Sequence, residues 1–265
     1  MGAEAARLLA AASILAFGGM AALWAVHLKR RDAGIVDVGW AGILGLLAVL
    51  YGAAGTGWPE RRAAVALLGG VWGGRLAIHL LLRLRGKPEE GRYAALRAAW
   101  SRSGRNVPLL FLGFFLVQGL LDVLLSAVFL FPALNPEPRF SFVERAGLLL
   151  WGIAVLGEGV ADAQLARFKA DPANRGGVCR TGLWNLSRHP NYFFEWLVWV
   201  GLAVFAAGSP WGAPALAAPA LMLFFLLRVT GIPATEAQAL RTKGDAYRRY
   251  QREVNAFVPW FPRSA

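Results

Sequence analysis

Apolar residues occur along the chain in seven long blocks, which are separated by shorter polar stretches. The blocks cover roughly residues 6–28, 34–54, 63–84, 107–133, 143–165, 193–207 and 211–228. A helix needs about 20 predominantly apolar residues to cross the hydrocarbon core of a bilayer. The sixth block is shorter than that, so we expect its helix to extend into the polar stretch before it. The pattern predicts an all-α, polytopic integral membrane protein with seven transmembrane helices.

Composition agrees with this pattern. Hydrophobic residues make up 57% of the 265 residues, whereas soluble domains contain about 45–50% apolar residues. The first block carries Glu4 and Arg7 and continues without a polar break, which indicates a retained helix rather than a cleaved signal peptide. We find no internal repeat, and we expect residues 1–265 to form a single membrane domain.

The basic charge of the chain is explained by topology. The net charge is +12, with 28 Lys and Arg residues. If residue 1 lies outside the cell and the chain crosses the membrane seven times, most of these cations fall in inside segments, as the positive-inside rule requires. This predicts an outside N-terminus and a cytoplasmic C-terminus, and it makes a nucleic-acid partner unnecessary.

The inside segments are the longer and richer ones, so we expect the chemistry on that face. They cover residues 85–106, residues 166–192 and the tail from residue 231. After Pro233 the tail has helical spacing with charges on all sides, which predicts a short interfacial helix.

Polar residues interrupt the predicted spans, where ionisable groups are costly and are functional candidates. Asp37 lies early in the second span. Four further spans carry polar pairs spaced four residues apart, namely Arg75 with His79, Gln118 with Asp122, Glu158 with Asp162, and Asn191 with Glu195. Such pairs either connect neighbouring helices by hydrogen bonds or line a shared polar interior.

The stretch S-R-H-P-N-Y at 187–192 precedes an apolar helix. Pro190 suits the first helical turn, and the N-terminus of a helix attracts phosphate. Asn191 and Glu195 lie just inside the helix and offer polar contacts. A ligand with anionic and polar ends fits this pattern, either a dinucleotide or S-adenosylmethionine. No G-x-G-x-x-G follows a strand, so a Rossmann site is not expected.

Other chemistries lack support. The three histidines, His27, His79 and His189, fall on separate segments, and Cys179 is the single cysteine. We therefore expect no metal site and no disulfide. No flavin motif and no nucleophilic triad is visible.

The chain resembles the membrane steroid 5α-reductase family and its bacterial relatives of the DUF1295 type. The resemblance spans roughly residues 30–262 and is most specific in the second half. It is carried by G-L-W-N-L-S-R-H-P-N-Y-F-F-E-W at 182–196, G-D-A-Y-R-R-Y-Q-R-E-V-N-A-F-V-P-W-F-P at 244–262, and the earlier I-V-D-V-G-W, W-G-G-R-L-A-I-H-L and E-E-G-R-Y-A-A-L-R.

The resemblance implies an NADPH-dependent oxidoreductase of the bacterial inner membrane, with its active site facing the cytoplasm. Helices 1–4, in residues 1–133, would bind a lipophilic 3-oxo-4-ene steroid or similar enone. Helices 5–7 with the inside loops, in residues 143–265, would bind NADPH. A hydride would reach C5 while an acidic pair holds the carbonyl oxygen. Expected partners are this hydrophobic substrate and the bilayer, with no obligate protein partner evident.

The resemblance also assigns site residues. Asp37 and Tyr93 are the candidates for the catalytic pair, and we expect Asp37 to stay protonated and to donate a hydrogen bond. Candidates for substrate binding are Trp40, Arg75 and Gln118. Candidates for cofactor binding are Glu158, Asp162, Lys169, Arg175, Arg180, Trp184, Ser187, Arg188, His189, Asn191, Tyr192, Glu195, Arg228, Glu236 and Arg241.

Two features depart from the family pattern. Glu158 stands where the reductases often have Asn, and the Gln-Glu motif of the animal enzymes is missing. An alternative stays open, because membrane methyltransferases acting on isoprenylcysteine or phospholipids also contain R-H-P-x-Y and bind S-adenosylmethionine. Asn191 directly after Pro190, Glu195 and the seven spans favour the reductase. The basic loops favour NADPH over NADH, since they suit the extra 2′-phosphate.

Overall fold

The computed structural model describes residues 2–86, 88–89 and 91–263, and this part of the chain contains helices and no β-strand. The α-helices are α1 (Gly2–Arg30), α2 (Ile35–Ala54), α3 (Pro59–Leu84), α4 (Gly91–Arg102), α5 (Val107–Leu125), α6 (Ala127–Ala133), α7 (Phe142–Ala170), α8 (Pro190–Ala207), α9 (Ala217–Phe224) and α10 (Ile232–Glu253). Short 3₁₀ turns lie at Pro172–Asn174, Gly182–Asn185 and Ala213–Leu216, and a π-helical turn lies at Phe225–Val229. The predicted all-α class is confirmed.

Within the described residues, seven helical stretches are long and apolar enough to cross a membrane. They are Gly2–Arg30, Ile35–Ala54, Pro59–Leu84, Val107–Ala133, Phe142–Ala170, Pro190–Ala207 and Ala213–Glu253. They match the seven predicted spans, and the protein is therefore an integral membrane protein. The sixth helix begins at Pro190, which confirms its extension into the polar stretch. The orientation of the termini stays a prediction.

The chain forms two compact units. The first comprises the chain up to Glu144 together with Ala206–Ala215, and the second comprises Arg145–Phe205 and the chain from Leu216 onward. The first unit contains α1 to α6. The second contains nearly all of α7 and α8, together with α9 and α10.

In the first unit, α2 and α3 pack closely because small residues face each other. A Cβ atom added to Gly73 would lie 2.6 Å from the Ala41 carbonyl oxygen, and one added to Gly69 would lie 2.2 Å from the Cβ of Ala48. Small residues allow helix backbones to approach in this way inside membranes.

A buried ion pair closes one end of the first unit. Arg61, in the first turn of α3, donates from Nε to Glu144 Oε1 over 2.5 Å. Its other nitrogens donate to the carbonyl oxygens of Asn135, Glu137 and Arg139 over 2.6–3.0 Å. Both side chains are buried, and these contacts compensate the charges that burial would otherwise leave unpaired.

In the second unit, glycines bring α7 and α8 together. A Cβ atom added to Gly147 would lie 2.4 Å from the backbone nitrogen of Phe205, and one added to Gly201 would lie 2.7 Å from that of Trp151.

The predicted tail helix exists as α10, which consists of two shorter helical segments. It bends at Gly244, which has a φ of 53°. Beyond the bend, Tyr247, Tyr250 and Val254 form a small buried cluster.

Candidate functional site

Arg188 lies two residues before the first residue of α8, and its side chain binds α10 and the residue that follows α10. Its Nε donates to Glu236 Oε1 over 2.7 Å. Its Nη1 donates to the carbonyl oxygens of Gln251 and Val254 over 3.0 and 2.6 Å. The guanidinium therefore binds the protein itself, and its predicted contact with a phosphate stays a prediction.

Glu236 is the centre of this cluster. Besides Arg188, it contacts His189 Nε2 at 3.2 Å and accepts hydrogen bonds from Gln251 over 2.8 Å and from Tyr247 over 3.4 Å. These contacts join the start of α8 to α10. Sequence reasoning missed Tyr247 and Gln251, although their spacing of four residues places them on one helix face.

The turn before α8 is fixed by buried hydrogen bonds. Ser187 Oγ donates to the carbonyl of Phe257 over 2.8 Å and accepts from the backbone nitrogen of His189. Trp184 Nε1 donates to the Ala161 carbonyl over 2.9 Å, and the Tyr250 hydroxyl donates to the carbonyl of Trp184. The polar groups of both the Trp184 and Ser187 side chains thus bind the protein. Their predicted contacts with a cofactor stay predictions.

His189 and Tyr192 lie on one side of the α8 start. Their rings are stacked, with centroids 5.4 Å apart and an angle of 6° between the planes. The Tyr192 hydroxyl also lies 3.0 Å from the Thr235 hydroxyl. The aromatic pair therefore borders the Glu236 cluster.

Asp162, Asn191 and Glu195 were expected to converge, and the structure brings Asn191 and Asp162 into contact. Asn191 Nδ2 donates to Asp162 Oδ1 at 3.4 Å. Glu195 is buried, and its Oε1 accepts a hydrogen bond from Trp199 Nε1 over 3.1 Å. Glu158 is buried on α7, one turn before Asp162. An amide and a carboxylate thus meet at the start of α8.

The basic candidates of the second unit other than Arg188 lie on its surface. Arg180 pairs with Glu253 and lies over the Tyr250 ring at 5.5 Å. Four other cations are exposed, namely Lys169, Arg175, Arg228 and Arg241. Among the described residues, the side chains of Arg175, Arg228 and Arg241 have no ion-pair or hydrogen-bond partner. Their guanidinium groups are available to an anionic ligand.

The two predicted catalytic residues meet in the first unit. The Tyr93 hydroxyl donates to Asp37 Oδ1 over 2.9 Å, and Arg92 pairs with Asp37 Oδ2. The Arg92 guanidinium also lies 4.6 Å from the centre of the Tyr93 ring. Both carboxyl oxygens of Asp37 thus have partners, and its protonation and its donation to a substrate stay predictions. Sequence reasoning missed Arg92, although it directly precedes Tyr93.

The candidates for substrate binding lie on three helices of the first unit, α2, α3 and α5. Trp40 packs edge-on against Trp72, with ring centroids 5.9 Å apart. Arg75 is half-buried on α3, and Gln118 is half-buried on α5, one turn before the buried Asp122. Their assignment to a substrate stays a prediction.

Glu89 fixes the segment before α4. It accepts hydrogen bonds from Arg97 over 2.8 and 3.0 Å and from the backbone nitrogen of Ala33 over 2.8 Å. Partial burial by itself would raise the pKa of Glu89, but the hydrogen bonds from Arg97 and Ala33 outweigh it. The pKa therefore lies below its ordinary value.

A family model described as a protein of unknown function, DUF1295, matches residues 23–254. The chain belongs to the DUF1295 family. No curated protein and no solved structure matches it. The match extends from the last part of α1 through α10, so both units of this DUF1295 protein, with the Asp37–Tyr93 pair and the Glu236 cluster, fall within the family region.

Proposed function

We propose that this DUF1295 protein is an NADPH-dependent reductase acting on the 4,5 double bond of a 3-oxo-4-ene steroid or a similar hydrophobic enone. Family membership supports the proposal, because DUF1295 is a steroid 5α-reductase-like family. The observation that carries it is the 2.9 Å hydrogen bond from Tyr93 to Asp37. These residues are 56 positions apart, and they are the pair that the resemblance assigns to the substrate carbonyl.

In this reduction a hydride from NADPH would add to C5, negative charge would develop on the carbonyl oxygen at C3, and C4 would then take a proton from solvent. A donor aimed at that oxygen lowers the barrier. The Tyr93 hydroxyl has one proton, which it donates to Asp37 in the free protein. It must turn from Asp37 to the carbonyl oxygen, and Arg92 then keeps the Asp37 carboxylate paired.

The second unit contains side chains that fit NADPH. The carboxylate of Asp162 and the amide of Asn191 suit ribose hydroxyls and a nicotinamide carboxamide. The exposed Arg175, Arg228 and Arg241 suit phosphates, since arginine binds phosphate oxygens through paired N–H groups. When bound, NADPH supplies the hydride. Arg188 is a poorer candidate, because it would first have to leave Glu236 and two carbonyl oxygens.

The experiment uses the full chain purified into lipid nanodiscs. NADPH binding is measured by fluorescence, and NADPH consumption is followed with testosterone or progesterone. We expect saturable binding and a product with 5α stereochemistry. Activity with another enone alone would keep the reaction and exclude the steroid.

The competing function predicts a different result. Binding of S-adenosylmethionine measured by calorimetry, without binding of NADPH, would overturn the proposal in favour of a membrane methyltransferase. As a control on the site, Asn191→Leu should weaken NADPH binding, whereas Asn174→Ala, in the turn after α7, should leave it unchanged.

A further inference from the structure

The last residues of the described chain run back along the start of α8. Three hydrogen bonds fix this path. The backbone nitrogen of Arg188 donates to the Asn255 carbonyl over 2.8 Å, Ser187 Oγ donates to the Phe257 carbonyl over 2.8 Å, and the backbone nitrogen of Trp260 donates to the Leu186 carbonyl over 2.8 Å. The segment after α10 is therefore held in one position beside α8.

The aromatic contacts of the segment after α10 show how far along α8 it lies. The Phe257 ring lies 5.6 Å from the Phe193 ring and 5.8 Å from the Trp196 ring. With a rise of about 1.5 Å per residue, these two rings belong to residues about 5 and 9 Å along α8 from Pro190. Since α8 is one of the seven spans, Phe257 packs beside the first turns of a spanning helix.

The residues that follow Phe257 are apolar and exposed. The exposed fractions are 54% for Val258, 65% for Trp260 and 76% for Phe261. The Trp260 and Phe261 rings contact each other edge-on, with centroids 6.1 Å apart. Tryptophan concentrates where hydrocarbon meets headgroups, because its ring is apolar and its N–H is polar.

Cations lie beside these apolar residues. Arg249 and Arg252 are exposed near the end of α10, and the backbone nitrogen of Arg263 donates to the Glu253 carbonyl over 2.8 Å. The three guanidinium groups form no ion pair with any described residue. Exposed aromatic residues next to unpaired arginines match an anionic lipid surface. A second copy of the chain would place like charges against each other.

We propose that Val258, Trp260 and Phe261 form a tail anchor. The tail anchor inserts into an anionic lipid surface on the face of the bilayer where α8 begins. The anchor holds the segment that binds Ser187 and Arg188, so it connects the lipid surface to the turn before α8. The inference rests on membrane insertion and does not depend on the reductase activity.

The test places a fluorescent probe on the tail anchor. The substitution Trp260→Cys is made in a Cys179→Ala background, since Cys179 is the single cysteine of the chain. The introduced cysteine is labelled with an environment-sensitive dye, and the full chain is reconstituted into vesicles that carry spin-labelled lipids. Ala173→Cys, at an exposed position in the Pro172–Asn174 turn, is the matched control.

We expect lipid-borne quenchers to quench the dye at position 260 about two-fold more than at position 173, and aqueous iodide to show the reverse order. Quenching by lipid at position 260 should be stronger with phosphatidylglycerol than with phosphatidylcholine alone. Thermal unfolding of both labelled variants verifies that they fold.

Two results would overturn the tail anchor. One is equal access of iodide to both positions without quenching by lipid. The other is cross-linking of two copies of the Trp260→Cys variant through their introduced cysteines in place of lipid quenching, which would identify a second copy as the occupant. Equal quenching in both lipid mixtures would refute the preference for anionic lipid.

Discussion

Arg188 Nε lies 2.7 Å from Glu236 Oε1, so the residues before α8 are tied directly to α10. Both side chains are largely buried, and Glu236 has three further polar neighbours. The carboxylate is thus the common acceptor of this cluster.

Loss of that carboxylate should destabilise the protein. We expect Glu236→Ala to lower the free energy of unfolding by about 2 kcal/mol, because it leaves the Arg188 charge without its partner. Thermal unfolding in detergent measures the effect. Glu137→Ala is the control, since its ion pair with Arg139 is exposed and should contribute less than about 1 kcal/mol. Equal effects at the two sites would contradict the role of Glu236.

The close contact between α7 and α8 gives a second prediction. Gly147→Ala should cost at least about 2 kcal/mol, because the new Cβ atom would meet the backbone of Phe205, which cannot move aside easily. Gly152→Ala on the same helix meets no atom within 4 Å and should be neutral or stabilising by up to about 1 kcal/mol. Similar melting temperatures for the two variants would show that α7 and α8 do not pack as described.

The contribution of Glu89 to the stability of the protein should depend on pH. Its folded-state pKa lies below the ordinary value, so its stabilising contribution is present above the unfolded pKa, at about 4.3, and is lost as the pH falls through the folded pKa. The difference in melting temperature between wild type and Glu89→Gln should be constant near neutral pH and should shrink below about pH 4. A difference that grows on acidification would contradict this assignment.

Asp122 should be a site where stability can be gained. It is buried on α5, and neither carboxyl oxygen has a hydrogen-bond partner among the described residues. We expect Asp122→Val to raise the stability by about 1 kcal/mol, since an unsatisfied buried polar group is removed. Ser126→Ala should lower it, because Ser126 contacts the Tyr51 hydroxyl at 3.0 Å. A loss of activity together with a gain in stability at Asp122 would assign it a functional role.

Tyr93 predicts the effect of a single hydroxyl on turnover. If the protein reduces enones, Tyr93→Phe should lower kcat about 10²-fold, because the donor to the developing oxyanion is lost. The affinity for NADPH should not change. Tyr51→Phe removes a hydroxyl that contacts Ser126 in the same unit and should leave kcat unchanged. An unaltered kcat in Tyr93→Phe would remove this residue from the mechanism.

Much of the fold was predictable because a helix that crosses a bilayer needs about 20 predominantly apolar residues. The apolar blocks marked all seven spans, and the polar start of α8 was anticipated from the short sixth block. The helix α4 and the break of α10 at Gly244 were not anticipated, since their sequences are charged and follow no membrane constraint. The break at Ser126 within the fourth span also left no clear mark in an apolar block.

For the candidate site, the sequence identified residue types and the structure decided their partners. Asp37 with Tyr93, and Asp162 with Asn191, were candidates that the fold brings into contact. Arg188 was a candidate for a phosphate, and the structure adds that it binds Glu236, which lies 48 positions later.

The sequence by itself determined that this chain is a membrane protein with seven candidate spans and polar residues inside them. Each span could be predicted separately, because contact with lipid requires each segment to be apolar. Only the tertiary structure decided which carboxylate each cation and hydroxyl meets. Such contacts depend on the orientation of side chains and on short distances between segments far apart in the chain. Local residue patterns do not predict either of these.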